Sequence, residues 1–163
     1  MSNYFHGTIQ NPYHISIGAA VMNKEGKICH HYFEKKLHTI MGDYENIVIL
    51  MRETIEENET IEQCLHRGLM EEFGMKADLK SYTGSIVSRF KIDDSDTYIE
   101  KTTLYFLCDF ISQDDSLRAK DDVEAVSVIQ WSDPKELIVK MKEQGKRLNR
   151  EDADESAIIE RLF

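Results

Sequence analysis

Residues 52–75 read RETIEENETIEQCLHRGLMEEFGM, and this stretch decides the predicted fold. Thr60 followed by Gln63 forms a capping box, which predicts that a helix starts at Thr60. Gly74 predicts a left-handed end to the same helix, which therefore covers residues 60–73. Apolar residues recur at every fourth position of this helix: Ile61, Leu65, Leu69 and Phe73. Such a stripe is typical of a helix that packs one face against a core.

The acidic residues near the end of this helix allow two interpretations. At about 100° per residue, Glu72 falls inside the apolar arc, while Glu71 lies at its edge, one turn from Arg67. A carboxylate that faces a core is costly unless it is paired or bound to a cation. Glu72 therefore either faces the core, where it is paired or bound to a cation, or bends out to solvent at the helix end, and the spacing leaves both alternatives open.

The same stretch resembles the Nudix box, G-x5-E-x7-R-E-U-x-E-E-x-G-U, where U is a bulky aliphatic residue. The matching positions, in motif order, are Glu59, Arg67, Leu69, Glu71, Glu72, Gly74 and Met75. The motif segment spans residues 53–75. A match at this fixed spacing, on a helix with the expected caps, identifies the chain as similar to Nudix (MutT-like) hydrolases.

Two motif positions depart from the pattern. Glu53, preceded by Arg52, replaces the leading Gly, and Gly68 replaces the Glu that follows the Arg. In the family, the first turn often gives a carbonyl to a metal, and the missing Glu is a metal ligand or activates water. These departures predict an alternative function, in which the chain is a catalytically weakened Nudix-like module with a nucleotide-binding or regulatory role. Gly68→Glu is expected to distinguish the alternatives: a large gain in turnover indicates a degenerate enzyme, and no change indicates that another base already works.

The resemblance implies Mg²⁺-dependent (or Mn²⁺-dependent) cleavage of the phosphoanhydride in a nucleoside diphosphate linked to another moiety. It assigns Glu71 and Glu72 as metal ligands, with Glu59 nearby, because clustered carboxylates suit Mg²⁺. It also implies that Arg67 pairs with a helix carboxylate and keeps it ionised and oriented.

A further carboxylate in the family often comes from a loop before a strand that carries a Trp. Here the acidic run 121–124 precedes Trp131, and Glu124 is the candidate general base. The alternative is that this run is only a solvated loop.

The order of predicted elements favours an α/β fold, a Nudix-type α-β-α sandwich with a mixed sheet between the motif helix and C-terminal helices. A hairpin is predicted from strands 14–22 and 27–33 around a turn at 23–26. The other predicted strands are 45–51, 81–90, 98–110 and 123–131, with an acidic turn at 93–96. Helices are predicted over 134–144, capped by Asp133 or Ser132, and over 152–163. The chain of 163 residues, without repeats or linkers, suits one domain over 1–163.

The acidic composition of the chain disfavours two classes of partner, and the family resemblance implies a small-molecule nucleotide substrate. A net charge of −10 disfavours wide contact with nucleic acids or anionic membranes, although cations can still bridge the protein to a phosphorylated substrate. The sequence contains neither a signal peptide nor a long apolar stretch, and its three cysteines are far apart, which favours a cytoplasmic location. The segment 29–31, Cys-His-His, lacks a fourth ligand and is interpreted as structural. Family members are often dimers, so the resemblance also allows a homodimer.

Overall fold

The computed structural model describes residues 5–34, 37–39, 42–92 and 94–163. The strands are β1 Tyr13–Met22, β2 Ile28–Phe33, β3 Leu37–Thr39, β4 Gly42–Tyr44, β5 Ile47–Ile49, β6 Met51–Thr54, β7 Met75–Lys91, β8 Tyr98–Gln113 and β9 Val128–Ser132. The helices are α1 Ile61–Phe73, α2 Pro134–Leu148 and α3 Ser156–Glu160. No helix among these residues is both long and apolar enough to cross a membrane.

The main sheet is mixed and follows the order β5-β2-β1-β8-β7, with β6 also paired to β1 and β9 to β2. β1 runs parallel to β8 and antiparallel to β2 and β6. The predicted hairpin is confirmed, since Met22 lies opposite Ile28 across the turn. β3 and β4 form a separate two-stranded ribbon.

Two apolar cores cover the two faces of this sheet. Ile17 and Ala19 of β1 pack with α1, while Ala20 packs with α2 and α3. Neighbouring residues of a strand point to opposite faces, so one strand serves both cores. The predicted α-β-α sandwich is therefore confirmed.

Helix α1 begins and ends as the sequence predicts. Both hydrogen bonds of the capping box between Thr60 and Gln63 are present, and Gly74 is left-handed at φ 59°. The predicted stripe is wrong at Ile61, whose exposed fraction is 41%. Ile61 is the first residue of α1, whereas Leu65, Leu69 and Phe73 of the same stripe are fully buried.

The strand predicted over 45–51 is two short strands, β5 and β6, on different partners. The break falls at Leu50, whose main-chain N–H donates to the Glu155 carboxylate at 2.8 Å. The Glu155 side chain therefore accepts the main-chain hydrogen bond that Leu50 would donate to a neighbouring strand if β5 and β6 were continuous.

The strand predicted over 123–131 is wrong in its first half, because Val123–Val126 forms a 3-10 turn before β9. The Arg118 guanidinium donates to the carbonyls of Glu124 (2.9 Å) and Ser127 (3.1 Å). These side-chain bonds hold the segment in a turn.

The C-terminal helices differ from the prediction in extent. α2 has the predicted cap, Asp133, and continues to Leu148. The helix predicted over 152–163 is wrong in extent, since only a 3-10 turn, Glu151–Ala153, and the short α3 form there. Of the acidic turn 93–96, position 93 lies outside the described residues.

Candidate active site

Arg67 joins the motif helix to the loop before it. Its Nε and Nη2 donate to the two carboxylate oxygens of Glu59 at 2.8 and 3.0 Å, and Nη2 also donates to the Thr54 carbonyl at 2.8 Å. Hydrogen bonds from Arg67 hold the pKa of Glu59 below its ordinary value, so Glu59 is ionised. The tight partner of Arg67 is therefore Glu59, and Glu71 lies farther away, at 3.4 Å.

Glu72 is paired in the core and does not bend out to solvent. Its side chain is 3% exposed, and Oε2 lies 2.7 Å from Nε2 of His31 on β2. Burial raises the pKa of Glu72 well above its ordinary value, and the nearby charges of Glu124 and Glu53 raise it further. Of the two interpretations left open by the helix spacing, the one in which Glu72 faces the core is confirmed.

His31 connects Glu72 to the segment before β9. Its Nδ1 lies 2.6 Å from Oγ of Ser127, which also accepts a bond from Arg118 at 2.9 Å. Burial lowers the pKa of His31 to about 3, so the ring is neutral and carries one N–H. Nε2–H can donate to an ionised Glu72 while the Ser127 hydroxyl donates to Nδ1. A protonated Glu72 can instead donate to Nε2 while Nδ1–H donates to Ser127, so the network fits either charge state.

Sequence reasoning missed this role of His31. Alternation along β2 sends His30 to the other face, where its Nε2 lies 2.8 Å from Oγ of Ser132. The same alternation places His31 on the face of Cys29, toward α1. This alternation is the one sequence signal that could have indicated a contact between His31 and α1. Nothing in the spacing pointed to Ser127 or Arg118.

Glu124, the candidate general base, lines the same cavity as Glu72. Both line a small cavity of about 130 Å³ together with His31 and Arg52. Burial raises the pKa of Glu124, and the carboxylates of Asp122 and Glu53 raise it further. A carboxylate with a raised pKa accepts a proton more readily near neutral pH.

The predicted site residues fall into two groups. Arg67, Glu59 and Glu71 form one group around the guanidinium, while Glu72 and Glu124 share the small cavity. In the described ranges, no three His, Cys, Asp or Glu side chains converge as a preformed metal site would require.

The donor chemistry nevertheless fits a divalent cation. The carboxylates offer the hard oxygen ligands that Mg²⁺ prefers. The charge of Glu53 contributes to the raised pKa values of Glu72 and Glu124, and a cation near these carboxylates would relieve that repulsion.

A buried histidine lies beside the loop that Arg67 holds. His14 Nδ1 accepts from the main-chain N–H of Gly7 at 3.2 Å, so the neutral ring carries its proton on Nε2, which donates to the Thr54 hydroxyl at 3.0 Å. Burial, with the charge of Lys101, lowers the pKa of His14 to about 4. The neutral form is therefore the native one.

This buried histidine predicts a pH-dependent stability. In the unfolded chain His14 binds a proton below about pH 6.5, whereas in the native protein it does so only near pH 4. The free energy of unfolding should therefore fall on acidification through this window, with His14 contributing up to about 1.4 kcal/mol per pH unit. Urea unfolding of the protein and of His14→Gln across the window measures the contribution as a difference in slope. Identical slopes would contradict the assignment.

The fold and site together define an α-β-α sandwich with an Arg- and Glu-bearing helix packed on one face of the sheet. The family described as "NUDIX domain" matches residues 12–151 of this chain. The chain therefore belongs to the Nudix family.

Solved structures of low sequence identity share the fold. A NUDIX hydrolase from Nitrosomonas europaea has a TM-score of 0.61 at 15% identity, covering 91% of this chain and 86% of that one. The MutT protein from Methanosarcina mazei Go1 has a TM-score of 0.56 at 15% identity, covering 95% and 96%. The E. coli ORF135 protein has a TM-score of 0.54 at 16% identity, covering 96% and 93%. Comparison with curated protein sequences gives no match.

Proposed function

We propose that this chain is a Mg²⁺-dependent (or Mn²⁺-dependent) hydrolase that cleaves the phosphoanhydride of a nucleoside diphosphate linked to another moiety. The observation that carries the proposal is the pair of carboxylates, Glu72 and Glu124, that line one cavity beside the motif helix. Membership of the Nudix family supports pyrophosphohydrolase chemistry in general.

The residues of this chain have distinct roles in the proposed reaction. Glu71 and Glu72 would hold the cation, and Glu71 is exposed enough, at 40%, to turn toward Glu72 without leaving a core. The bound cation would neutralise phosphate oxygens and make a water molecule more nucleophilic. Glu124 would accept the proton of the attacking water as its oxygen bonds to phosphorus and the bridging P–O bond breaks. Arg67 and Glu59 act as positioning residues because they fix α1 against the preceding loop.

A second cavity supports an anionic substrate of nucleotide size. Its volume is about 670 Å³, and it is lined by residues 6–10, His14, residues 90–92, Ile99 and Lys101. Small-molecule sites commonly occupy about 300–1,000 Å³. Within the part of the chain that the structure describes, the Lys101 ammonium has no hydrogen-bonded carboxylate, and burial lowers its pKa to about 8. The charges of Glu72 and Glu124 raise the pKa of Lys101 and so oppose the effect of burial.

Phosphate-release assays on a panel of nucleoside diphosphate derivatives test the proposal. Turnover is expected with Mg²⁺ or Mn²⁺ and is expected to disappear with a chelator. Glu124→Gln should lower kcat by about 100-fold or more, because general-base catalysis commonly contributes that much. Asp121→Asn, which removes an exposed charge from the same acidic run, is the matched control and should keep full activity. Full activity in Glu124→Gln would remove Glu124 as the base.

The second candidate is the catalytically weakened module. The observations that favour it are the glycine at position 68 and the lack of a converged metal site among the described residues. A nucleotide that raises the melting temperature with Mg²⁺ yet releases no phosphate would support this function, since ligands of the native state raise its stability.

The proposal also covers the cellular location and the oligomeric state of the protein. The cysteines Cys29, Cys64 and Cys108 are all free and buried, which supports a reducing, cytoplasmic setting. The family resemblance supports a homodimer, which size-exclusion chromatography with light scattering would test.

A further inference from the structure

The two departures from the Nudix box meet in space. A Cβ built on Gly68 would lie 2.7 Å from Cβ and 3.3 Å from Cγ of Glu53, and 2.9 Å from Sδ of Met51. Carbon atoms this close overlap, so α1 has no room for a side chain at position 68. The Glu53 side chain packs on the bare helix surface that the glycine leaves. A glutamate at position 68 therefore requires the Glu53 side chain or α1 to shift.

Local structure holds the Glu53 carboxylate in a defined position. Arg52 and Glu53 lie in strand β6, opposite Gly18 and Ile17 of β1, and not in a turn. One carboxylate oxygen of Glu53 accepts the main-chain N–H of Thr54 at 2.8 Å. The other lies 3.3 Å from Nη1 of Arg67, and the side chain is 19% exposed.

The charge of Glu53 acts on the carboxylates of the proposed metal centre. Gly68 lies one helical turn before Glu72, and both are on the buried face of α1. Burial raises the pKa of Glu53, and the charge of Glu71 adds to the increase. The charge of Glu53 in turn raises the pKa values of Glu72 and Glu124. Arg67 offsets part of the Glu53 charge, because its Nη1 lies 3.3 Å from Glu53 and 3.4 Å from Glu71, while its close bidentate partner is Glu59.

We propose that Glu53 supplies from β6 the carboxylate that position 68 lacks, and that it serves with Glu71 and Glu72 as an oxygen ligand of the divalent cation. The inference rests on the proposed function, which requires a cation at this centre. The glycine at 68 and the glutamate at 53 are then one paired change, because the first makes room for the second.

Mn²⁺ binding to the folded protein, followed by electron paramagnetic resonance, tests the role of Glu53. Glu53→Gln should weaken the Mn²⁺ affinity about tenfold or more while circular dichroism shows an unchanged fold. Glu62→Gln removes the same charge from the exposed start of α1 and should bind Mn²⁺ as the unaltered protein does. Equal Mn²⁺ affinity in Glu53→Gln and the unaltered protein, with binding lost in Glu72→Gln, overturns this inference and leaves the proposed function standing. Failure of the unaltered protein to bind Mn²⁺ overturns both.

An exchange of the two residues tests the pairing directly. Gly68→Glu alone should lower the melting temperature because of its clash with Glu53, and Glu53→Gly alone should lose Mn²⁺ affinity. The double variant Glu53→Gly, Gly68→Glu should regain the melting temperature that Gly68→Glu loses. It should also regain the Mn²⁺ affinity that Glu53→Gly loses. Additive losses in the double variant would show that the two positions are independent and would overturn the pairing.

Discussion

Replacing Glu72 with glutamine should lower turnover by about 100-fold or more while the protein stays folded. Glutamine has nearly the shape of glutamate and can either donate a hydrogen bond to His31 or accept one from it. The contact between position 72 and Nε2 of His31, 2.7 Å long in the unaltered protein, is therefore retained. The substitution removes the negative charge that would hold the cation. It also removes a buried carboxylate whose pKa is raised by burial, so stability should be unchanged or higher.

Steady-state phosphate release and a thermal melt, measured on the same preparation, check this expectation. Glu71→Gln should also lose turnover if both carboxylates hold the cation. Glu62→Gln, on the exposed start of the same helix, is the control for a lost charge. Full turnover in both Glu72→Gln and Glu71→Gln would remove these two residues from the metal site.

Replacing Arg67 with methionine should lower the free energy of unfolding by about 3 kcal/mol. The side chains of Arg67 and Glu59 are 20% and 12% exposed, so removing the guanidinium leaves a largely buried carboxylate without its main partner. The Thr54 carbonyl also loses its bond of 2.8 Å from Arg67. Methionine retains most of the apolar volume, so the loss reports the polar contacts more than a cavity.

Urea unfolding measures this loss, and Glu59→Gln with the double variant completes a cycle. The two single losses should not add in the double variant, because both remove the same pair. Lys27→Met breaks an exposed ion pair with Glu25 at 3.6 Å and should have a much smaller effect. A loss in Arg67→Met no larger than in Lys27→Met would show that Arg67 does not hold α1 in place.

Features that depend on residues close together in the chain could be predicted from the sequence. The helix ends follow from Thr60, Gln63 and Gly74, because caps join residues only a few positions apart. The helical wheel could indicate that Glu72 is buried, but it could not indicate that His31 is its partner. The fixed spacing of the box was enough to predict the family.

Contacts between side chains that are far apart in the chain could not be predicted in this way. His31 and Glu72 are 41 positions apart, and His31 and Ser127 are 96 apart, so no local pattern relates them. The contact between Glu53 and Gly68 likewise depends on how β6 lies against α1. Sheet pairing and helix packing bring such residues together through the burial of apolar surface, which is non-directional and leaves no short-range spacing in the sequence.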